Sequence, residues 1–147
     1  MKKTIGFIGC GNMAKAMIGG LTKSKLFDPE NIVCYDPAAT AREQVAKDFG
    51  VNVQDSNVKV AEQADYLVLA IKPFLYAQIL EEIAKSVKPA AIIIVIAVGV
   101  GFDDVKGILG KNIKVVRTQP STPAFVGESD STVCPDDLMT KEDIADV

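Results

Sequence analysis

The chain contains no histidine. That removes the side chain most used as a general base and the commonest metal ligand. Its three cysteines, Cys10, Cys34 and Cys134, are widely spaced and odd in number, which excludes the usual zinc spacings and a disulfide framework. No metal site is expected. Long apolar runs are lacking too. The longest, AAIIIVIAVGVGF at 90–102, is too short and too β-branched for a membrane span and reads as a buried strand. There is no long basic run, and a formal net charge of −3 argues against nucleic acid as the main partner. The N-terminal MKKTIGFIG shares two lysines with secretory signals, but glycines break the run and no cleavage site follows. A cytoplasmic location with no membrane partner is therefore expected. No internal repeat and no low-complexity linker interrupts the chain.

What remains is a soluble globular composition: 147 residues, 48% hydrophobic and 24% charged, enough chain for one domain with a real core. Apolar runs and amphipathic stretches alternate. TIGFIG, NIVCYD (31–36), VNV (51–53), YLVLAI (66–71), AIIIVIA (91–97) and KVVRTQP (114–120) read as strands. Between them, helices are expected after Gly11, over 39–50 closed by Gly50, over NVKVAEQA, after Pro73, and from Phe102 to Leu109 ended by Gly110. In the helix after Pro73, Tyr76, Ile79, Leu80, Ile83 and Val87 share one face, while Glu81, Glu82, Lys85 and Lys88 lie opposite. Continuous apolar strands separated by amphipathic helices imply an α/β, Rossmann-type doubly wound fold with a mainly parallel sheet covered on both faces. Ligands of such sheets lie outside the carboxyl ends of the strands. The informative positions are thus Gly9 to Ala14, Asp36, Ala70 to Pro73, Ala97 to Gly99 and Gln119 to Pro123.

The first of these ends is the most specific. In FIGCGNMAKAMIGG, Gly9-x-Gly11-x-x-Ala14 follows a strand and opens a helix, the context of a dinucleotide-binding turn. Gly9 supplies the tight turn, Gly11 lets backbone approach a pyrophosphate, and the third position need only be small, which Ala14 is. The N–H groups of the first helical turn then favour negative charge. An ordinary glycine turn is the plainer alternative. Asp36, about 20 residues beyond Ala14 at the second strand's end, can accept both hydroxyls of an adenosine ribose. As the first residue of an Asp-Pro pair it could equally be a turn former. Its charge would disfavour a 2′-phosphate, so NADH is favoured over NADPH, with Arg42 the residue able to offset it. Cys10 inside the turn reads as a small hydrophobe. With no histidine, any reaction must rest on a cofactor, and hydride transfer suits that.

FIGCGNMAKAMIGGL, AIKP (70–73), IAVG (96–99) and PSTPAFVGE (120–128) together resemble, in order, the motifs of pyrroline-5-carboxylate reductase. The resemblance covers nearly the whole chain, and the pairing of IKP with STPA is its most specific part. It implies an N-terminal domain binding NAD(P)H, here 1–139. Residues 140–147, TKEDIADV, would start the helical domain that dimerises and completes the substrate pocket, the rest of which this chain lacks. It also implies roles. Ile8, Gly9, Cys10, Gly11, Asn12 and Met13 would surround the pyrophosphate, Asp36 and Ala38 border the ribose, and Asn57 contact the adenosine side. Ala70, Ile71, Lys72, Pro73 and Val98 would line the nicotinamide channel, with Ser121 and Thr122 near the reacting ring. Two positions depart from the family, which usually has alanine at Val98 and asparagine at Ser121. Plainer readings stand beside three of these: Lys72 as a solvated lysine, Val98 as strand, and Asn57 as a helix cap.

The implied reaction reduces the C=N bond of 1-pyrroline-5-carboxylate to L-proline with hydride from the cofactor. A cyclic imine is basic enough to be protonated near neutral pH, so no strong general acid is demanded and none is assigned. The full-length protein is expected to be a homo-oligomer through its second domain. Other readings of the same opening are a 6-phosphogluconate-like or 3-hydroxyacid dehydrogenase, a deazaflavin-linked NADP reductase, or a non-catalytic nucleotide-binding module.

Overall fold

Each apolar run becomes a short strand, because branched residues flanked by glycine, proline and amphipathic stretches bury best in a sheet covered on both sides. The computed structural model describes residues 3–25, 27–96, 100–110, 112–119 and 132–135. The strands are β1 (Ile5–Ile8), β2 (Ile32–Tyr35), β3 (Asn52–Val53), β4 (Tyr66–Leu69), β5 (Ile92–Val95), β6 (Lys114–Gln119) and β7 (Thr132–Pro135). The helices are α1 (Asn12–Lys23), α2 (Ala39–Phe49), α3 (Asn57–Gln63), α4 (Tyr76–Ile83) and α5 (Phe102–Leu109). One sheet holds all seven strands in the order β3-β2-β1-β4-β5-β6-β7. The first six run parallel and β7 is antiparallel to β6. The chain winds outward from β1 to β3, then returns to lay β4 against the other side of β1. The strand order thus reverses between β1 and β4, which opens a crevice at their carboxyl ends.

Strand periodicity divides the core. Ile8, Leu67, Leu69, Ile93, Val95 and Val115 point to one face and pack with Val60, Tyr76, Leu80, Ile83 and Val105, so α3, α4 and α5 cover that side. Ile5, Phe7, Ile32, Cys34, Val68, Ile94 and Val116 point to the other, against Ala14, Ile18 and Val45 of α1 and α2. In register, Ile8 stands between Tyr35 and Leu69. Among the described residues, no helix is long and apolar enough to cross a membrane.

Several details differ from expectation. The helix after Pro73 begins as a 3-10 turn at Pro73–Leu75, and α4 ends at Ile83. Ser86 and Val87 bond back to the Ile83 carbonyl, so Val87 keeps its place against the core although the helix has ended ahead of Pro89. The opposite face is not simply solvated: Lys88 Nζ lies 3.2 Å from Asp65 Oδ1, and Glu82 bonds to Asn57. β3 shrinks to two residues. β7 was not expected at all; it is four residues long and ends at Pro135, which an edge strand tolerates. Gly50 does close α2 in the left-handed region, with φ of 69°.

Candidate functional site

The turn between β1 and α1 is fixed by three contacts. Gly9 N–H donates to the Tyr35 carbonyl at 2.8 Å, and Ala70 N–H donates to the Ile8 carbonyl at 2.9 Å, so the turn is tied to β2 on one side and β4 on the other. Cys10 N–H donates to Asp36 Oδ2 at 2.9 Å. The chain must then bend sharply over the end of β4. Gly9 has φ of +103°, and a Cβ there would stand 2.2 Å from the Ala70 carbonyl oxygen. Glycine at position 9 is therefore required by the fold itself.

Gly11 is the opposite case. Its backbone is extended, with φ −76° and ψ −168°, and a Cβ built on it has nothing within 4 Å. Neither strain nor packing within the described residues calls for glycine. The space that a Cβ would fill lies at the N-terminus of α1, a helix of 12 residues with no acidic side chain in its first turn. Its first backbone bond runs from Lys15 N–H to the Gly11 carbonyl. The N–H groups of Gly11 to Ala14 are thus left without a partner among the described residues. A cradle of donors, exposed at Gly11 and Asn12, at the positive end of a long helix suits a phosphate anion.

Asp36 sits at the rim of this cradle and does more than was expected of it. While Oδ2 accepts from Cys10, Oδ1 accepts from Ala38 N–H at 2.8 Å. The carbonyl of Asp36 accepts from Arg42 Nη1 at 2.6 Å, and the Arg42 guanidinium lies 5.6 Å from the Tyr35 ring centre. Ala38 is the N-cap residue of α2. Cys10 and Ile8 turn their side chains into opposite cores, so only their backbone can face a ligand. Interaction with the neighbouring Cys34 thiol, together with burial and the negative charge of Asp36, pushes the Cys10 pKa far above its ordinary value. Such a thiol is inert rather than reactive.

Across the sheet, Asn57 opens α3. The cap of that helix is Ser56, whose hydroxyl accepts from Lys59 N–H at 3.2 Å, so Asn57 is not the cap. Asn57 is 6% exposed, donates from Nδ2 to Glu82 Oε2 at 3.2 Å, and holds a buried Oδ1 with no partner among the described residues. Beyond β4, Ala70 and Ile71 are half-buried while Lys72 and Pro73 are exposed, followed by Phe74 at 80% exposure. The Tyr76 hydroxyl reaches back to the Leu69 carbonyl and fixes this strand end. Val98, Ser121 and Thr122 lie outside the described residues. Glu82 and Tyr76 are contributions the sequence did not disclose. Both are brought to the site by α4, and helical periodicity marked only which face each would take.

Residues 4–99 match the family model described as "NADP oxidoreductase coenzyme F420-dependent", a span running from just before β1 to just beyond β5. The chain belongs to this family. Within it, the whole chain is 40% identical over 147 residues to the pyrroline-5-carboxylate reductase of Escherichia coli (strain K12), covering 55% of that protein. It covers 95% of itself and 52% of the Methanosarcina acetivorans reductase at 31% identity. The structure is similar to a pyrroline-5-carboxylate reductase from Coxiella burnetii, with a TM-score of 0.91, 28% identity, and coverage of 99% of this chain and 54% of that one. It is also similar to the Plasmodium falciparum pyrroline carboxylate reductase with NADP bound, with a TM-score of 0.86, 26% identity, and coverage of 98% and 52%. The chain thus spans about half the length of the relatives it matches. A 3-hydroxyisobutyrate dehydrogenase from Mycobacterium tuberculosis, at 21% identity and a TM-score of 0.77, shares the fold alone.

Proposed function

We propose that this chain is the dinucleotide-binding half of an enzyme that reduces 1-pyrroline-5-carboxylate to L-proline with NAD(P)H. The observation that carries this reading is Gly11: a glycine that nothing among the described residues requires, beside N–H groups unpartnered among them, fits a pyrophosphate laid against bare backbone. When bound, the reduced nicotinamide supplies the hydride. The backbone of Ile8 to Met13 would hold the pyrophosphate, Asp36 and Ala38 the ribose, and Asn57 the adenosine side. Ala70, Ile71, Lys72, Pro73 and Val98 would line the nicotinamide channel, with Ser121 and Thr122 at its reacting end. The chain's own task is to orient the two reacting rings and exclude water; no catalytic acid is assigned to it.

On this reading residues 1–139 form the cofactor domain of a cytoplasmic protein. A following helical domain, beginning within 140–147, dimerises and contributes most of the grip on the substrate carboxylate. NADH is the favoured cofactor, because the Asp36 carboxylate at the rim opposes a 2′-phosphate, an effect that salt weakens. Calorimetric titration of the chain with NADH and NADPH, followed by an assay with pyrroline-5-carboxylate, tests the whole reading. Binding without turnover is expected, tighter for NADH. Failure to bind either dinucleotide refutes the cofactor assignment, and robust turnover by the chain alone refutes the division of labour.

A further inference from the structure

Asn57 poses a problem that its own helix does not solve. A buried amide with only one half satisfied costs about 1–3 kcal/mol, and an apolar residue would avoid that cost. Ser56 already caps α3, so helix termination does not explain it. The nitrogen half is engaged by Glu82 Oε2 at 3.2 Å, whereas Oδ1 is buried without a partner among the described residues. The direction of that contact is not arbitrary. A carboxylate has only acceptor oxygens, so the atom facing it must be the NH2 group, and the amide oxygen is forced to point the other way.

We infer that Glu82 is a positioning residue for the dinucleotide site: by holding the Asn57 amide in one of its two orientations, it presents Oδ1 as an acceptor for a hydrogen-bond donor on the adenosine half of the cofactor. The inference rests on the proposal that Asn57 borders that half. Its chemistry is specific. The adenosine half offers hydroxyl and amino donors alongside ring-nitrogen acceptors. Without the carboxylate the amide is free to flip, and a flipped amide meets a donor with a donor. Glu82 lies on the exposed side of α4, so it can be replaced without opening the core, and among the described residues its bond toward the site is to Asn57.

The test is a double-mutant cycle on the intact chain with NADH as probe, read by calorimetry, with thermal melting as a check on folding. Asn57→Ala is expected to weaken binding by roughly tenfold or more and Glu82→Ala by roughly threefold to tenfold. The double variant should bind no more weakly than Asn57→Ala alone, because Glu82 has nothing left to position. Glu82→Gln should stay within about twofold of the parent, since its amide oxygen still accepts from Asn57. Full affinity in Glu82→Ala while Asn57→Ala binds weakly overturns the inference and leaves the adenosine contact standing. Additive losses, or a Glu82→Gln loss as large as that of alanine, overturn it as well, by showing that Glu82 acts through its charge. Unchanged binding in Asn57→Ala removes the adenosine contact itself, and the inference with it.

Discussion

Gly11→Val separates a ligand's demand from the fold's. Among the described residues no atom lies within 4 Å of the added Cβ, and its backbone region, φ −76° and ψ −168°, suits a β-branched residue. Losing glycine at an N-cap costs a few tenths of a kcal/mol to about 1, and restricting the unfolded chain returns about 0.4–1. The net change in stability is then under about 1 kcal/mol, a shift in Tm of no more than roughly 4 °C for a chain of this size. Binding is another matter. On the proposed reading, a branched side chain in the cradle would hold the pyrophosphate off the N–H groups of the α1 terminus. Hydrogen bonds to a charged group contribute about 1.5–3 kcal/mol each, so losing two weakens NADH by at least ~100-fold. Calorimetry with NADH and a thermal melt of the same preparation give both numbers. Parent-like affinity would show that the turn serves only structure. A melting point lowered by ten degrees or more would show that Gly11 has an internal role the geometry does not reveal.

Gly9→Ala should behave oppositely, because its Cβ would stand 2.2 Å from the Ala70 carbonyl oxygen at a φ of +103°; urea denaturation should show a loss of about 2 kcal/mol or more. Iodoacetamide should leave Cys10 and Cys34 unmodified in the native chain and alkylate both after unfolding, since each is fully buried and the Cys10 thiol is pushed well above its ordinary pKa. Asp36→Asn should keep one acceptor for the turn while removing the charge, and should move the NADPH-to-NADH affinity ratio toward NADPH. Asp36→Ala should also lower stability by about 1 kcal/mol, chiefly through the part-buried N–H of Cys10, since water can take over the exposed N–H of Ala38.

The strands and helices were legible because the apolar pattern is unusually clean. β1, β4 and β5 are unbroken apolar runs buried on both faces, and glycines close α2 and α5. The dinucleotide turn was legible as a motif, but the difference between its two glycines was not. Spacing gives both the same status; only the position of the Ala70 carbonyl shows that Gly9 answers to the fold and Gly11 does not. Glu82 was hidden for a related reason. Helical periodicity assigns it to the polar face of α4, and nothing local in the sequence says that this face passes beside Asn57. That meeting is set by how α3 and α4 pack side by side on the sheet. β7 was missed because four residues ending in proline carry little strand signal, and an antiparallel edge strand is specified mainly by its partner.

Asp36 shows why cofactor choice in such a site is not set by charge alone. On the proposed reading, the two oxygens that would face a ribose are the same two that hold Cys10 and Ala38 in place, so a residue reading the sugar would also shape the cradle proposed for the pyrophosphate. Replacing it with a small neutral residue relieves the repulsion of a 2′-phosphate and loosens the turn at once, and the two effects pull NADPH affinity in opposite directions. Arg42 cannot simply swing in as compensation. Its guanidinium is already committed to the Asp36 carbonyl and lies against the Tyr35 ring, and moving it would release the backbone at the end of β2. A switch of preference toward NADPH therefore requires a residue at 36 that still accepts from the Cys10 and Ala38 N–H groups without carrying charge, together with an Arg42 freed to meet the phosphate.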